Sequence, residues 1–504
     1  MNGPNFVGPG TGRPIPAQVD VLIVGSGPNG AAYARVLSGR HPRARILMVD
    51  AGPRLTTIPG RHTRNLTDPE ERRRAVLGSQ GGDSPGAAAA GTFFVDADAA
   101  ARNDPGTLAA AAMSTNVGGM GRHWAGATPT PHPTELPSFI SAPQWSELFA
   151  RSRHLLATDP RPLTGAAHWR ESLERLAAAF GGVRDMPVAR TTAPDGTVTW
   201  SGTDTVLGAL ATERRETFAI AAETVCTELI GKRGRIEAAT MRSQVDGSTT
   251  TVAAKVFVVA ADSLRTPQLL WKSGIRPYAL GRYLGDHLVV AGRFTPDHLA
   301  EPADPDTLLG AGRTLNNTTG TPSNGLGTVP YDPGDHPVHT QFGQVADRGE
   351  GLMMFGCMLA KDAQDSDRVW FHDDRTDRYG MPAMAFDYEL TGRDRELRAY
   401  AEDCVGRAAD ALGATGVRTV TQPHGMSLHY LGTVRMGAAD DGASVCDSES
   451  RVWGHDNLFV AGNGVIPADL SCNPTLTSVA ISVRGARAAA ATFDSAWRAP
   501  LISI

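Results

Sequence analysis

Three glycines and one carboxylate give the first chemical signal. Gly25, Gly27 and Gly30 form Gly-x-Gly-x-x-Gly directly after the apolar run at 19–24 (VDVLIV) and before a helical stretch through Leu37. The first glycine permits a tight turn, the second lets the backbone approach a pyrophosphate, and the third lets helix pack on strand. The phosphates then meet a helix N-terminus, where free N–H groups point outward. Asp50 follows Gly30 by 20 residues, at the end of a second strand (RILMVD), where it can accept a hydrogen bond from a ribose hydroxyl. Together these residues point to a dinucleotide site rather than a plain Gly-rich turn. They leave FAD and NAD both open, and the acid at position 50 disfavours a 2′-phosphate and hence NADP. Other chemically capable residues read as structural when taken alone. His429 sits in an apolar stretch, where histidines usually pack. Asn473 precedes Pro474 and Thr475 and fits a helix N-cap followed by Pro at N1.

The elements that must position these groups follow from the pattern along the chain. A βαβ unit spans 19–50. A small-residue, loop-like stretch follows at 76–92, then a Gly-rich segment within 101–131 that contains His123. Helical periodicity runs through 146–183. Strand patterns occupy 218–260, and a turn and helix follow at 262–270. Residues 301–337 are rich in Pro and Gly, as in a lid or mobile loop. Strands return at 338–390, an amphipathic helix covers 392–413, and the chain closes with a strand, a loop and a helix opened by Asn473-Pro474-Thr475. Pieces with nucleotide-site character at 19–50, 218–262 and 456–490 are separated by pieces without it. A cofactor domain assembled from discontinuous segments, with a second domain inserted, accounts for that interleaving.

Composition narrows the class. The 504 residues suffice for about two to four domains and a large core. A net charge of −5 excludes a basic nucleic-acid footprint. No apolar run approaches the roughly 20 residues that span a bilayer. The N-terminus has no basic-then-apolar pattern, so no secretory signal is expected and the expected location is cytoplasmic. Five Cys, an odd number without CxxC, point to a reducing compartment and away from a zinc or disulfide framework.

Further motifs carry a family resemblance. Residues 429–437 read HYLGTVRMG and 457–477 read NLFVAGNGVIPADLSCNPTLT; with DAGP at 50–53, TPQLLWKSGI at 266–275 and GRYLGDH at 281–287, the chain resembles the glucose-methanol-choline (GMC) oxidoreductases. Gly118-Gly-Met-Gly-Arg-His123-Trp and Asn473-Pro-Thr-Leu-Thr are similar to the pyranose oxidase branch, which includes bacterial enzymes acting on pyranoses and glycosides, some at C3. The resemblance is thin at 136–215 and 290–345. It implies an α/β and α+β architecture: a Rossmann-like FAD-binding domain from 15–135, 205–290 and 440–504, and a substrate domain from 136–204 and 291–439 built on an antiparallel sheet.

The resemblance also assigns roles. It implies FAD as cofactor, and hydride transfer from a secondary ring C–H of a sugar or glycoside to flavin N5, with electrons passing on to O2 or a quinone. His429 matches the family's catalytic base, and a neutral imidazole near pH 7 suits that task. Asn473 matches the polar residue that orients the hydroxyl. Gly119, Arg122, His123, Trp124, Ala125, Cys226, Asn463 and Thr475 fall against the cofactor, and Gln341 matches a substrate contact. His123 matches a position that carries a covalent flavin bond in fungal pyranose oxidases, but its flanks keep the motif only in part, so a covalent and a dissociable FAD both stand. Ala125 replaces a Thr that helps oxygen chemistry. The fungal substrate loop after Gln341 is missing, which favours C3 of an O- or C-linked glycoside over C2 of a free sugar. A GMC enzyme on a non-sugar alcohol and an NAD-binding protein of another class are the competing expectations. The oligomeric state is not legible.

Overall fold

A computed structural model describes residues 5–77, 92–94, 108, 110–299, 325–347, 350–467 and 469–496. Six short strands pair in parallel in the order Phe6–Val7, Phe218–Ala221, Ile46–Val49, Val21–Val24, Val256–Val259 and Leu458–Val460. The last four of these are buried at every position. That is why they read as continuous apolar runs and not as alternating ones: a parallel sheet is covered on both faces. The helices Pro28–Arg40 and Thr475–Ala496 pack on each other beside this sheet. An antiparallel ribbon of Thr224–Lys232, Arg235–Ser243 and Thr249–Ala253 shares its core through Val225, Ile236, Met241 and Val252.

A second six-stranded sheet is antiparallel throughout. Its order is Thr415–Thr421, Leu288–Thr295, Glu350–Leu359, His339–Asp347, Leu326–Val329 and Arg184–Asp185. The helix Gly392–Ala411, closed at its start by a Thr391–Asp394 capping box, packs on it. Trp169, Phe294, Phe342, Phe355 and Val405 fill the core between them.

These two sheets position the site. Gly25, Asp50, Ala260 and Ala461 each follow the last residue of a parallel strand, so the carboxyl ends of four strands face one crevice, as ligand sites of open parallel sheets do. From the antiparallel sheet, His339 and Gln341 are two apart on one strand and share a face.

Two expectations change. The helical stretch at 146–183 is two helices, Ala142–Leu156 and Ala167–Phe180, because Pro160 and Pro162 interrupt the pattern and Thr158–Asp159 forms a short strand. The end of the expected loop at 301–337 is not loop: Leu326–Val329 is a strand, and Gly325 and Gly327 let the Trp169 and Phe342 rings lie against its backbone. Residues 301–324, like most of 76–92, lie outside the described residues. The strand Phe6–Val7 had no sequence signal, being two residues long beside Pro and Gly. All five cysteines are free and buried. No helix among the described residues is long and apolar enough to cross a membrane.

Candidate active site

One long cleft, enclosing about 1830 Å³ with open solvent at its mouth included, runs from the Gly25 turn to His429. Its lining contains Gly25, Gly27, Asp50, Gly119, Trp124, Ala125, Cys226, Gln341, His429, Asn463, Asn473 and Thr475. Residues separated by up to 450 positions in the chain thus meet around one space.

At the nucleotide end the backbone sets the shape. Gly25 turns at φ +103°, and a Cβ there would stand 2.1 Å from the Ala260 carbonyl oxygen. A Cβ on Gly30 would lie 2.2 Å from the Gly25 carbonyl oxygen, so this glycine serves the packing of helix on turn and does not line the cleft. Gly27 has nothing within 4 Å of a built Cβ and faces open space, beside the N-terminus of Pro28–Arg40. The Asp50 carboxylate accepts from Ser26 Oγ at 2.5 Å, Ser26 N at 3.2 Å and Gly52 N at 2.9 Å. Burial pushes it up to about 6 against the lowering pull of those hydrogen bonds.

At the other end side chains carry the geometry, and the sequence reading missed two of them. His287 and His339, both buried, belong to the same polar chain as His429. His287 Nε2 lies 2.6 Å from the Leu470 carbonyl oxygen, and its Nδ1 lies 2.9 Å from His429 Nδ1. Gln341 Nε2 donates to Asn473 Oδ1 and lies 3.5 Å from His339 Nε2. Asn473 Nδ2 stands 3.5 Å from His429 Nε2. Burial lowers His287 to about 4, and burial with the neighbouring histidines lowers His339 to about 3. Burial first, then His287 and His339, also hold His429 well below the ordinary 6.5. All three imidazoles are therefore neutral at pH 7. The amide of Asn473 is turned toward Gln341 and His429, so the cap reading of its local sequence does not describe its side-chain partners.

The backbone before His429 is also fixed. Asp286 Oδ1 accepts from His429 N at 2.9 Å and from the Ser427 hydroxyl. Leu428 takes φ +61°, an uncommon state for leucine that the surrounding bonds hold in place. Glu135 Oε1 accepts from Ser471 N at 2.7 Å and Ser471 Oγ at 2.5 Å, which pins the loop carrying Leu470 and Asn473.

Two more of the expected cofactor residues, like Gly30, are absent from the lining. Arg122 is fully buried, donating from Nε to Asn116 Oδ1 at 2.8 Å and from its terminal nitrogens to the Ala75 carbonyl oxygen. It braces the Gly-rich segment and is absent from the lining. His123 is likewise absent from the lining, and its Nε2 lies 2.8 Å from Ser114 Oγ. Trp124 and Ala125, the next two residues, do line the cleft, with Trp124 Nε1 donating to the Ser201 carbonyl oxygen at 2.7 Å.

The missed histidines had little to mark them. His287 lies 142 positions from His429, a separation that no local spacing rule spans. Its only sequence signal is its place at the end of the GRYLGDH motif.

The arrangement can do one kind of chemistry well. A point about 2.9 Å from both Asn473 Nδ2 and His429 Nε2 exists, since the two atoms are 3.5 Å apart. A hydroxyl oxygen placed there receives a hydrogen bond from the amide and gives its proton to the imidazole.

Known proteins similar to this chain fall in one family. The sequence patterns of the GMC oxidoreductase family match at residues 197–289 and 370–482. The C-glycoside 3-oxidase of Microbacterium trichothecenolyticum is 41% identical over 514 residues, covering 94% of this chain and 97% of that relative. The C-glycoside 3-oxidase of Arthrobacter globiformis is 40% identical, covering 96% and 98%. The pyranose 2-oxidase of Tricholoma matsutake is 30% identical, covering 93% of each chain. Among solved structures, pyridoxine 4-oxidase from Mesorbium loti superposes with a TM-score of 0.64 at 19% identity, over 93% of this chain and 98% of that one. That likeness speaks to the fold.

Proposed function

The chain belongs to the GMC oxidoreductase family, whose members are FAD-binding flavoproteins, and from that premise we propose that it oxidises a secondary ring hydroxyl of a glycoside, at C3, to the ketone. The observation that carries this reading is the pairing of a neutral imidazole with a carboxamide at one end of a cleft whose other end is a dinucleotide turn. The C3 preference rests on the two glycoside 3-oxidase relatives.

The residues present fit FAD. Gly27 leaves room where a side chain would intrude, and Asp50 ends the second strand as a ribose acceptor. The first turns of Pro28–Arg40 and Thr475–Ala496 both reach the cleft, bringing two positive helix ends to it. FAD held there supplies the acceptor for the hydride that leaves the alcohol carbon. His429 Nε2 takes the hydroxyl proton, typically worth 10²–10⁴-fold. Asn473 Nδ2 holds the oxygen as negative charge gathers on it. Gln341, holding Asn473 Oδ1, keeps the amide nitrogen turned to the substrate.

His123 does not line the cleft, and its Nε2 is engaged by Ser114 Oγ, a residue of the cleft wall, so FAD is proposed to be held without a covalent bond. Acid precipitation should leave the yellow colour in the supernatant; colour in the pellet would overturn this. Ala125 offers the cleft a methyl group and no hydroxyl, so a quinone-type acceptor is expected to turn the reduced enzyme over faster than O2.

The functional reading is tested by anaerobic bleaching of the holoenzyme with a panel of C-glycosides, O-glycosides, glucose, choline and a sterol. Bleaching by glycosides supports it. Bleaching by choline or the sterol alone contradicts it.

A further inference from the structure

We infer that His287 is a positioning residue: it fixes the tautomer of His429, so that the lone pair on Nε2, and not the one on Nδ1, is presented to the substrate. The inference rests on the reading of His429 as the base and deepens it.

The argument starts from a group whose polarity admits no choice. The Leu470 carbonyl oxygen can only accept, so the 2.6 Å contact makes His287 Nε2 the protonated nitrogen. His287 is 3% exposed, and a buried imidazole without a carboxylate partner stays neutral. Its Nδ1 is then a lone pair. The 2.9 Å contact between the two Nδ1 atoms needs one proton between them, and that proton belongs to His429. His429 Nε2 is left as an acceptor, facing the cleft and the amide of Asn473. The two ring planes cross at 76° with their centroids 4.8 Å apart.

The same pair of residues holds both the backbone and the ring of the base. Asp286 accepts from His429 N, and His287 accepts from His429 Nδ1. His287 also ties the base to the Leu470 loop, three residues before Asn473 and pinned by Glu135. The two groups that must meet the same hydroxyl are therefore spaced through one buried imidazole. The opposite end of the chain is set in the same way. Gln341 Nε2 donates to Asn473 Oδ1, so the Asn473 nitrogen is the atom left to donate. A hydroxyl between the two groups finds one acceptor and one donor.

The test compares His287→Leu with His287→Gln in the FAD-loaded enzyme. Glutamine can accept from His429 Nδ1 with its oxygen and donate to Leu470 with its nitrogen; leucine can do neither. With FAD still bound, His287→Leu should lower the limiting rate of anaerobic flavin reduction about tenfold or more, while the glycoside concentration for half-saturation changes by less than about threefold. His287→Gln should regain most of the lost rate. Independently of turnover, nitrogen-15 labelling of the histidines should show His429 protonated at Nδ1 and bare at Nε2, its signals identified by their loss in His429→Ala. A reduction rate in His287→Leu equal to wild type would overturn the inference. So would a His429 ring protonated at Nε2, or a glutamine variant as slow as the leucine one. Should His287→Leu fail to hold FAD, the nitrogen signals of the wild type and the rate of His287→Gln still decide the matter. A wild type that no sugar bleaches overturns the functional reading, and the nitrogen signals then judge the relay by themselves.

Discussion

At the Gly25 end of the cleft the contacts are local and made by backbone. A left-handed turn, a helix N-terminus and one carboxylate lie within 26 consecutive residues. At the His429 end they are made by side chains from four separated stretches, joined from Leu470 through His287, His429, Asn473 and Gln341 to His339. The first end needs shape, because a phosphate is met by any N–H that can approach it. The second needs polarity at each atom, because a proton must leave one way and a hydride another. Shape can be encoded by glycines; polarity has to be fixed by partners.

If that division is right, variants at the two ends should fail differently. The largest effect is expected from Gly25→Ala, whose Cβ would meet the Ala260 carbonyl oxygen at 2.1 Å in a backbone state that disfavours alanine. The purified protein should lack bound FAD, as read by its flavin absorbance. His429→Ala should keep the yellow colour and lose about 10²–10⁴-fold in the rate of flavin reduction at pH 7. Asn473→Ala should also stay yellow and lose on the order of 10²-fold in the same assay, since it removes a donor to the developing charge.

A pH titration sharpens the contrast. His429 works as a base only when neutral, and burial beside His287 and His339 depresses its protonation below 6.5. The reduction rate of bound flavin should therefore stay level from pH 8 to below pH 6.5 and fall only at lower pH. Asp50 shows the reverse displacement. Burial raises it to about 6, so its ionised, ribose-accepting form is lost as pH falls through that value. FAD release, followed by ultrafiltration, should increase before the reduction rate of the remaining holoenzyme declines. The smallest effect is expected from Gln341→Ala, which frees Asn473 Oδ1 and should cost about fivefold in kcat/KM for a glycoside.

The same division explains what could be read from the chain. Gly25, Gly27 and Asp50 were legible because strand, turn and helix follow one another, and the buried strands Val21–Val24, Ile46–Val49 and Val256–Val259 are plain apolar runs. His429 and Asn473 were ordinary by local sequence, one a packed histidine and one a cap; only the family resemblance singled them out. His287 escaped because its partner is 142 positions away and the bond between them has no sequence period. Arg122 and His123 show the converse limit. They sit inside a cofactor motif, yet Arg122 turns to Asn116 and Ala75, and His123 to Ser114. A motif locates a segment, whereas the direction of each side chain is decided by burial and available partners. The strand Leu326–Val329 makes a similar point, since two glycines that looked like loop residues instead admit aromatic rings.

The account is tested most directly by the anaerobic reduction of the holoenzyme with a C-glycoside carrying deuterium at a single ring carbon. Deuterium at C3 should slow bleaching several-fold and deuterium at C2 should leave it unchanged, with the 3-keto product recovered. A slowing that follows deuterium at C2, or equal rates for both labelled sugars and the unlabelled one, would contradict it.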